Sequence, residues 1–471
     1  MKKSVLVIAV SAALAAGSAQ AAVEVYGKLH LSLDQTDNGN TYNGNTNNAA
    51  STVSATKGSS SGGGAANAGA KAKSQYVSTN ASVLGFKASE DLEGGMKALA
   101  VIEVQVEADT QTKTIPFTER EVYAGLGGGF GTARIGKIDT PMKLLGGVAD
   151  LFRDQVGDNR NLTARASGLG LVMNSPLHED VASRYPAYTY SATSQKPGWE
   201  VRASNALAYT SPDMGGFTVS ALYQPNEGRK DASMKDVAAR FTSDVGGGKL
   251  VAGLAWETHG KAWNNDQKAE TNIRAAGSFT ISDLKAAVFY QKASNMNAVP
   301  ATPGLTPSGV TTPETVCINT ATVPTSVKIC GSDNTVKAVA AESLDRTTWG
   351  LGGQYKIGAG AIKAQYYKAG KSKGAAVDPA DGATMIAIGY DHNLSKSTKV
   401  YVAYAATKND DNGTLGTAGS GNNIPTKGGT YTAAGGGHDN TPNNVLAGQN
   451  GATPNPGSDP KSLSLGLVFN F

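Results

Sequence analysis

Charged side chains, rather than a nucleophile paired with a base, are the residues of this sequence that could do chemistry. Neither an H-E-x-x-H zinc motif nor a G-x-S-x-G nucleophile elbow occurs. The five histidines are His30, His178, His259, His392 and His438. The glycine-rich residues 125–131 lack the G-x-G-x-x-G spacing of a phosphate loop and read as a turn. We therefore expect no enzymatic activity, no metal site and no cofactor.

Acidic and basic side chains share one long segment, residues 139–198. Its charged residues, which stand among Leu, Val and Gly, include Asp150, Asp154 and Asp158 as well as Arg153, Arg160 and Arg165. Opposite charges that face each other across water create a field that orders the water and disfavours apolar solutes. The chemistry this segment could carry is therefore the sorting of solutes by charge.

Strands with one apolar face must hold such charges in place. The last eleven residues put Leu463, Leu465, Leu467, Phe469 and Phe471 on one face, and serines, Gly466 and Asn470 on the other. A chain that stops on such a strand has no polar tail to cover its edge, so another strand must pair with it. The first strand is the simplest partner, because closing the sheet removes both edges and satisfies every backbone group without water.

The first strand, residues 23–34, has the same two faces. Val25, Leu29 and Leu33 alternate with Lys28 and other polar residues. If the apolar face meets lipid, turning Lys28 onto it would cost about 2–4 kcal/mol near the membrane midplane. The register therefore places Lys28 inside.

The amino-terminal segment 1–21 predicts export. Lys2 and Lys3 precede an apolar core that runs from Val5 to Ala16, and the segment ends in Ala19-Gln20-Ala21, the pattern of a cleaved secretory signal. The core is shorter than the ~20 residues that a spanning helix needs. We expect cleavage after Ala21 and a mature chain over residues 22–471.

Composition favours many short strands joined by polar loops. The chain has 58 Gly, 17 Tyr and only 17% charged residues. Without Lys2 and Lys3, 40 of the 42 basic residues remain against 38 acidic ones, a net charge of +2, and no basic stretch indicates nucleic acid.

Loop lengths alternate along the chain. Long polar loops are predicted at 36–74, 294–345 and 409–460, while other connections are tight glycine turns, an asymmetry typical of outer-membrane barrels. Cys317 and Cys330 lie close together in the second loop, and export permits a disulfide between them.

Several short motifs, spread in order along the chain, resemble the general diffusion porins of Gram-negative bacteria. They are VYGK at 25–28, LGFK at 84–87, REVYAGL at 120–126, FGTARIGK at 130–137, NALAYTSP at 205–212 and GYDHNLS at 389–395, with the terminal Phe471. The resemblance implies an all-β, 16-stranded transmembrane antiparallel barrel with a third loop, 139–198, folded inward as a constriction. It implies a homotrimer that passes small hydrophilic solutes passively, lies among outer-membrane lipid and lipopolysaccharide, and meets the barrel assembly machinery through Phe471.

Carried over position by position, the resemblance assigns charges to the inner wall of the early strands. The basic residues are Lys28, Arg120, Arg202 and, if Ala133 and Ile135 face lipid, Arg134; Glu103 lies beside them. We expect Asp150, Asp154 or Asp158 of the loop to face Lys28, Arg120 and Arg202. Strand parity, with Tyr123 and Gly125 on the outer face, supports an inward Arg120. Val83 stands where the family often has Arg, so the row of basic residues is one charge short unless Lys87 or Arg134 compensates.

Two other functions remain open at this point. The long loops also suit a barrel that acts as an adhesin or phage receptor, since external loops vary freely. A channel dedicated to one solute would need a file of aromatic side chains, which Tyr26, Tyr188, Tyr190, Tyr355 and Tyr367 do not obviously form. The sign of any ion preference is also undetermined by the sequence.

Overall fold

A computed structural model of the chain describes most of the predicted strands and part of the segment 139–198. The described residues are 22–37, 73–106, 108, 117–164, 199–228, 230–261, 268–299, 342–374, 381–411, 417 and 459–471. The predicted signal segment, the two cysteines and most of the three long loops lie outside them. None of the described helices is long and apolar enough to cross a membrane.

Sixteen antiparallel strands form one closed barrel, as the sequence predicts. The strands are β1 (Ala22–Asp37), β2 (Lys73–Thr79 and Val83–Asp91), β3 (Lys97–Val106), β4 (Phe117–Gly128), β5 (Gly131–Asp139), β6 (Arg202–Thr210), β7 (Phe217–Gln224), β8 (Met234–Val245), β9 (Gly248–His259), β10 (Glu270–Ile281), β11 (Leu284–Val299), β12 (Glu342–Ile357), β13 (Gly360–Ala369), β14 (Ala383–Asn393), β15 (Thr398–Asn409) and β16 (Lys461–Asn470). Each strand pairs with the next along the chain.

Pairing of the first strand with the last closes the barrel. The register runs from Lys28 opposite Asn470 to Asp37 opposite Lys461. Beyond it, the backbone N–H of Gly27 donates to the carbonyl of Phe471 at 2.8 Å, and the N–H of Phe471 donates to the carbonyl of Gly27 at 3.0 Å. The hydrogen-bond ladder therefore continues to the last residue.

A break in β2 was not predicted by its sequence pattern. The two segments of β2 pair with β1 on either side of residues 80–82. Ala81 has a φ of 50°, and the Asn80 N–H and the Ser82 hydroxyl both donate to the carbonyl of His30. These two hydrogen bonds thus hold the interrupted segment against β1.

Strand alternation separates an apolar outside from a polar inside. On β16, Leu465 is 53% exposed to the outside whereas Ser464, which points inward, is 1% exposed. On β1 the same contrast holds for Leu33 and Asp34. An outer face of this composition suits hydrocarbon, and an inner face of this composition suits water.

Connections at the two ends of the barrel differ in length. One end has tight turns such as Gly246-Gly247 between β8 and β9, both with positive φ. The first residue of β1 and the terminal Phe471 lie at this end. The strand ends that the long connections join lie at the other end. In outer-membrane barrels the short turns face the periplasm, which orients the chain.

The described part of the segment 139–198 lies inside the barrel and contains two short helices, α1 (Pro141–Gly146) and α2 (Arg160–Thr163). Thr140 caps α1 by accepting a hydrogen bond from the Lys143 N–H at 3.3 Å. Met142, Leu145 and Leu162 pack in one cluster with inward side chains of β8 to β11, β13 and β14, many of them alanine. Small wall residues leave room for the loop, which therefore covers this side of the inner wall.

The packing at the barrel closure predicts that a side chain at Gly27 would lower the free energy of unfolding. A Cβ on Gly27 would lie 2.2 Å from the ring of Phe471, whereas a Cβ on Gly353, another strand glycine, would meet no atom within 4 Å. We expect Gly27→Ala to lower the free energy of unfolding by about 1–3 kcal/mol because the ring must move. Gly353→Ala is the matched control. Urea titration of the detergent-folded protein, followed by tryptophan fluorescence, measures both; equal midpoints would contradict the role of the ring.

Candidate functional site

Asp154 joins the inner loop to the wall at β1. Its carboxylate lies 2.9 Å from the Lys28 ammonium and 2.7 Å from the Arg160 guanidinium. A φ of 61° turns the backbone of Asp154 into the left-handed region, where its N–H donates to Asp158. Burial opposes the charge, but Lys28 and Arg160 outweigh it and hold the pKa of Asp154 well below its usual range. Asp154 is therefore ionised and bridges loop and wall.

Asp158 makes its contacts within the loop rather than with the wall. It is fully buried, accepts the backbone N–H groups of Asp154 and Arg160 at 2.8 Å each, and pairs with the Arg160 side chain. These contacts close a tight turn around one carboxylate. Among the described residues, Asp158 touches none of the wall cations.

Asp150 is held between the loop and β13. Its carboxyl accepts the N–H of Phe152 at 3.0 Å and the Gln365 amide at 3.3 Å. Burial, reinforced by the nearby charge of Asp158, raises the pKa of Asp150 to about 8. At neutral pH Asp150 is therefore mostly protonated and contributes little negative charge to the lumen.

Arg120 pairs with an acid of the wall, not with the loop. The Arg120 Nε lies 2.5 Å from the Glu103 carboxylate, and the Tyr26 hydroxyl donates to the other Glu103 oxygen at 3.0 Å. Glu103 faces inward from β3, beside Arg120 of β4, as expected. The structure thus brings Arg120 and Glu103 together as a neutral wall pair.

A bulge explains why Arg120 points inward, and it corrects the parity argument. Ile102 pairs with Val122 and Val104 with Glu119, so that Arg120 and Glu121 both lie opposite Glu103. Beyond the bulge Tyr123 lies on the inner face, where the Arg134 guanidinium is 5.4 Å from its ring centre. The expected outward position of Tyr123 and Gly125 is therefore wrong.

Arg202 pairs with Asp139, the last residue of β5, rather than with a loop aspartate. The Arg202 Nε lies 2.6 Å from Asp139 and the Lys143 ammonium lies 2.9 Å from the same oxygen. Burial lowers the pKa of Lys143 to about 8, and the cationic Arg202 acts in the same direction while Asp139 opposes it. Sequence reasoning missed Asp139, although its place directly before the loop was a signal.

Arg134 and Lys87 lie on the inner wall away from the loop acids. The Arg134 guanidinium donates to the Thr210 hydroxyl at 3.3 Å, and the Lys87 ammonium lies 4.2 Å from the ring centre of Tyr26. Val83 is buried. Both basic residues named as substitutes for an arginine at position 83 thus face the lumen.

Later strands add inward cations that motif comparison did not indicate. By strand parity Arg240, Lys285 and Lys356 face the lumen; Arg240 and Lys356 are exposed and Lys285 is half-buried. Their register partners on neighbouring strands, like those of Arg134, are uncharged among the described residues. The alternation of apolar and polar residues along these strands, followed through the whole sequence, would have identified these inward cations.

A further group of charges lies where β13, β14 and β15 meet the loop. Asp391 lies 2.9 Å from the Lys363 ammonium and 3.0 Å from the Lys399 ammonium. Lys363 also donates to Gln155 of the loop at 2.8 Å. One carboxylate thus pairs with two ammonium groups, so this group of three side chains has a net positive charge.

The inner face shows neither an aromatic file nor a metal centre in the part that the structure describes. Tyr26 and Tyr367 face inward, but Tyr355 is 54% exposed on the outer face. Among the same residues, His, Cys, Asp and Glu side chains form no group of three that could hold a metal ion.

A family model described as Gram-negative porin matches residues 7–412. Outer membrane porin protein 32 of Delftia acidovorans is 24% identical over 431 residues, which cover 88% of this chain and 92% of that protein. The major outer membrane protein P.IA of Neisseria meningitidis serogroup B is 30% identical over 199 residues, 41% of this chain and 45% of that protein.

Solved structures share the fold. An anion-selective porin from Comamonas acidovorans aligns with a TM-score of 0.57 at 19% identity, covering 96% of this chain and 100% of that one. OmpT, an outer membrane protein of Vibrio cholerae in its trimer form, aligns with a TM-score of 0.50 at 11% identity, covering 96% and 99%.

The raised pKa of Asp150 predicts a pH-dependent loop. Because the folded loop holds this proton up to about pH 8 and an unfolded aspartate only to about pH 4, stability falls as pH rises between those values. Asp150→Asn, the neutral isostere, should flatten this dependence. The thermal unfolding midpoint in detergent between pH 5 and 9 measures it, with Asp244→Asn, an exposed lumenal aspartate, as the control. Parallel pH profiles for wild type and Asp150→Asn would contradict the assignment.

Proposed function

The chain belongs to the family of Gram-negative porins, and we propose that its channel prefers anions. As an outer-membrane porin it forms a water-filled barrel for passive diffusion of small hydrophilic solutes. Family and fold point to a channel rather than an enzyme. The sign of its selectivity follows from which charges remain unbalanced along the inner wall.

Inward cations without a charged register partner carry the proposal. At the ring formed by loop and wall, opposite charges pair off: Lys28 with Asp154, Arg120 with Glu103, and Arg202 with Asp139. Four inward cations have no charged register partner among the described residues: Arg134, Arg240, Lys285 and Lys356. Such charges raise the local concentration of anions in a narrow aqueous channel.

The ring residues divide into two roles in this proposal. Lys28, Arg120, Arg134 and Arg202 provide the basic wall, and Glu103 and Asp154 provide the acids beside it. Asp150 and Asp158 shape the loop that narrows the lumen, because their contacts lie mainly within it. The Comamonas acidovorans structure, an anion-selective porin, agrees with this polarity.

We also infer how the chain is processed. Residues 1–21 are a cleaved signal, 22–471 the barrel, and 139–198 the constriction loop. Loops 36–74, 294–345 and 409–460 are external, and Cys317 bonds Cys330 in the oxidising space outside the cytoplasm. The terminal Phe471, paired in register with Gly27, is the residue that the barrel assembly machinery recognises.

A gap in the outer aromatic girdle supports a homotrimer. Tyr and Trp side chains project outward from nearly every strand of the β6–β15 wall: Tyr209, Tyr223, Trp256, Tyr290, Trp349, Tyr355, Tyr366, Tyr390 and Tyr404. On β1 to β5 the described outward side chains include no Tyr or Trp. Aromatic girdles mark lipid interfaces, so we assign the β1–β5 face to contact with two further copies, and the remaining circumference to lipid and lipopolysaccharide.

The anion preference is tested by reversal potential. In planar bilayers under a KCl gradient, the wild type should be more permeable to chloride than to potassium. Replacing Arg240, Lys285 and Lys356 by Gln should lower this permeability ratio by about two- to threefold, because the field in the lumen weakens. The control replaces three outward lysines, Lys368, Lys408 and Lys461, by Gln and should leave the ratio unchanged. A preference for potassium in the wild type would reject the proposal.

The trimer face is tested by adding bulk. Ala100 on β3 and Ala364 on β13 are exposed outward alanines on opposite sides of the barrel. Ala100→Trp should release monomers, because a large ring prevents close packing of two barrels, whereas lipid accommodates Ala364→Trp. Native gel electrophoresis of unheated protein distinguishes them. Trimers in both variants would remove β1–β5 as the contact face.

A further inference from the structure

The inner loop exposes few of its described side chains to the lumen. All but five of the residues 140–164 are buried, and these five are Leu144, Gly147, Val148, Arg153 and Asp154. Only two of them are charged. The electrostatic influence of this part of the loop on a passing ion therefore depends chiefly on Arg153 and Asp154.

The charge of Asp154 is balanced, whereas that of Arg153 is not. The Asp154 carboxylate lies 2.9 Å from the Lys28 ammonium and 2.7 Å from the Arg160 guanidinium. Arg153 forms no ion pair with a carboxylate among the described residues. A paired charge is largely cancelled by its partner, but a half-buried charge without a partner keeps its field in the neighbouring water. Arg153 is thus the uncompensated charge on the exposed edge of the described loop.

Packing against Gly147 fixes the position of the Arg153 side chain. A Cβ on Gly147 would overlap the Arg153 Nη1 and lie 3.2 Å from the Arg153 Cζ, so the guanidinium lies directly against the Cα of Gly147. Gly147 ends α1 with a φ of −66°, a conformation that any residue adopts. A methyl group at position 147 would therefore displace the guanidinium without straining the backbone. Position and charge of Arg153 can thus be changed separately.

Arg153 also lines a hollow of about 370 Å³ between the loop and the tight turn that joins β14 to β15. Lys396 of that turn, together with Lys28 and Lys399 of the wall, lines the same hollow, and Asp154 is the carboxylate among its lining residues. Lys28 and Lys399 each have a carboxylate partner. Lys396 is exposed and has none among the described residues. Two unpaired cations, one from the loop and one from the wall, therefore border one space on the periplasmic side of the loop.

We propose that Arg153 is a specificity-determining residue of the channel, which favours anions beside the constriction loop, and that Lys396 extends the same field toward the periplasm. An anion that passes the loop is attracted by both groups, and a cation is repelled by both. The inference rests on the proposed anion preference and adds a loop residue to the wall cations that support it. The loop, whose aspartates were expected to oppose a basic wall, thus contributes a positive charge of its own.

The test is a charge series at position 153. Arg153→Lys keeps the positive charge, Arg153→Gln removes it and Arg153→Glu reverses it, while Gly147→Ala keeps Arg153 but displaces its guanidinium. The matched control, Lys368→Gln, removes one positive charge from the outer face of the barrel. The reversal potential of each refolded full-length protein is measured in planar bilayers under a KCl gradient. The thermal unfolding midpoint in detergent and the mobility on an unheated gel establish that each variant is folded.

The ratio of chloride to potassium permeability should fall about two- to threefold in Arg153→Gln and further in Arg153→Glu, because each step removes one unit of charge from the edge of the loop. Arg153→Lys and Lys368→Gln should keep the ratio of the wild type. Gly147→Ala should lower the ratio although no charge is lost. Lys396→Gln should lower it by less than Arg153→Gln, because water and salt screen an exposed charge more strongly.

Equal ratios in the Lys, Gln and Glu variants would overturn the inference. A ratio that falls as far in Arg153→Lys as in Arg153→Gln would also overturn it, because the shape of the side chain would then matter and its charge would not. Failure of the proposed anion preference gives a different result, since the wild type itself would then prefer potassium. A wild type that prefers chloride, combined with a flat charge series, would reject the role of Arg153 and leave the preference to the wall cations.

Discussion

The constraint on which this structure depends is that hydrocarbon offers no hydrogen bonds to the backbone. Each strand must find two partners, and the first and last strands can only find each other. The ladder between β1 and β16 therefore extends to the final residue, where Gly27 and Phe471 exchange both backbone hydrogen bonds. The absence of a side chain at Gly27 lets the ring of Phe471 lie over the strand. Only a closed sheet has an inside and an outside, and the two faces of the strands and the position of the loop depend on that division.

Closure makes an interior that is too wide to be filled by its own side chains. The loop after β5 narrows it, and packing as well as charge holds the loop in place. Met142, Leu145 and Phe152 lie against wall positions occupied by small residues such as Ala238 and Ala403. Apolar contacts fix one side of the loop. On the other side, the ionised Asp154 forms an ion pair with Lys28. Buried charges near the constriction are paired because a buried charge without a partner is costly, and charges farther along the wall remain in water and keep their field.

Much of the fold could be predicted from the sequence because alternation with a period of two is a direct consequence of strand geometry. The sixteen strands that the family resemblance implies are present, and the closing pair was expected from the alternation of the first and last strands. Details that depend on local irregularity could not be predicted. A bulge opposite Glu103 changed the parity on which the outward position of Tyr123 rested, and nothing in residues 75–90 indicates the break at Ala81. Among the site residues, the inward positions of Lys28 and Glu103 follow from alternation. The pairing of Arg202 with Asp139, and the burial that keeps Asp150 protonated, depend on the path of the loop in three dimensions.

The lysines of this barrel show how strand parity assigns different tasks to one residue type. Lys363 and Lys368 belong to the same strand, five residues apart, and therefore project to opposite faces. Lys363 pairs with Asp391 in the lumen, whereas Lys368 lies beside Trp349 and Thr384 on the outside. A shift of one residue in this strand would move Lys363 into hydrocarbon and Ile362 into water, which is why the apolar pattern fixes the register so strongly. Because the register is fixed, inner and outer charges can vary independently: substitutions that tune the field of the lumen need not disturb the outer face, and the reverse also holds.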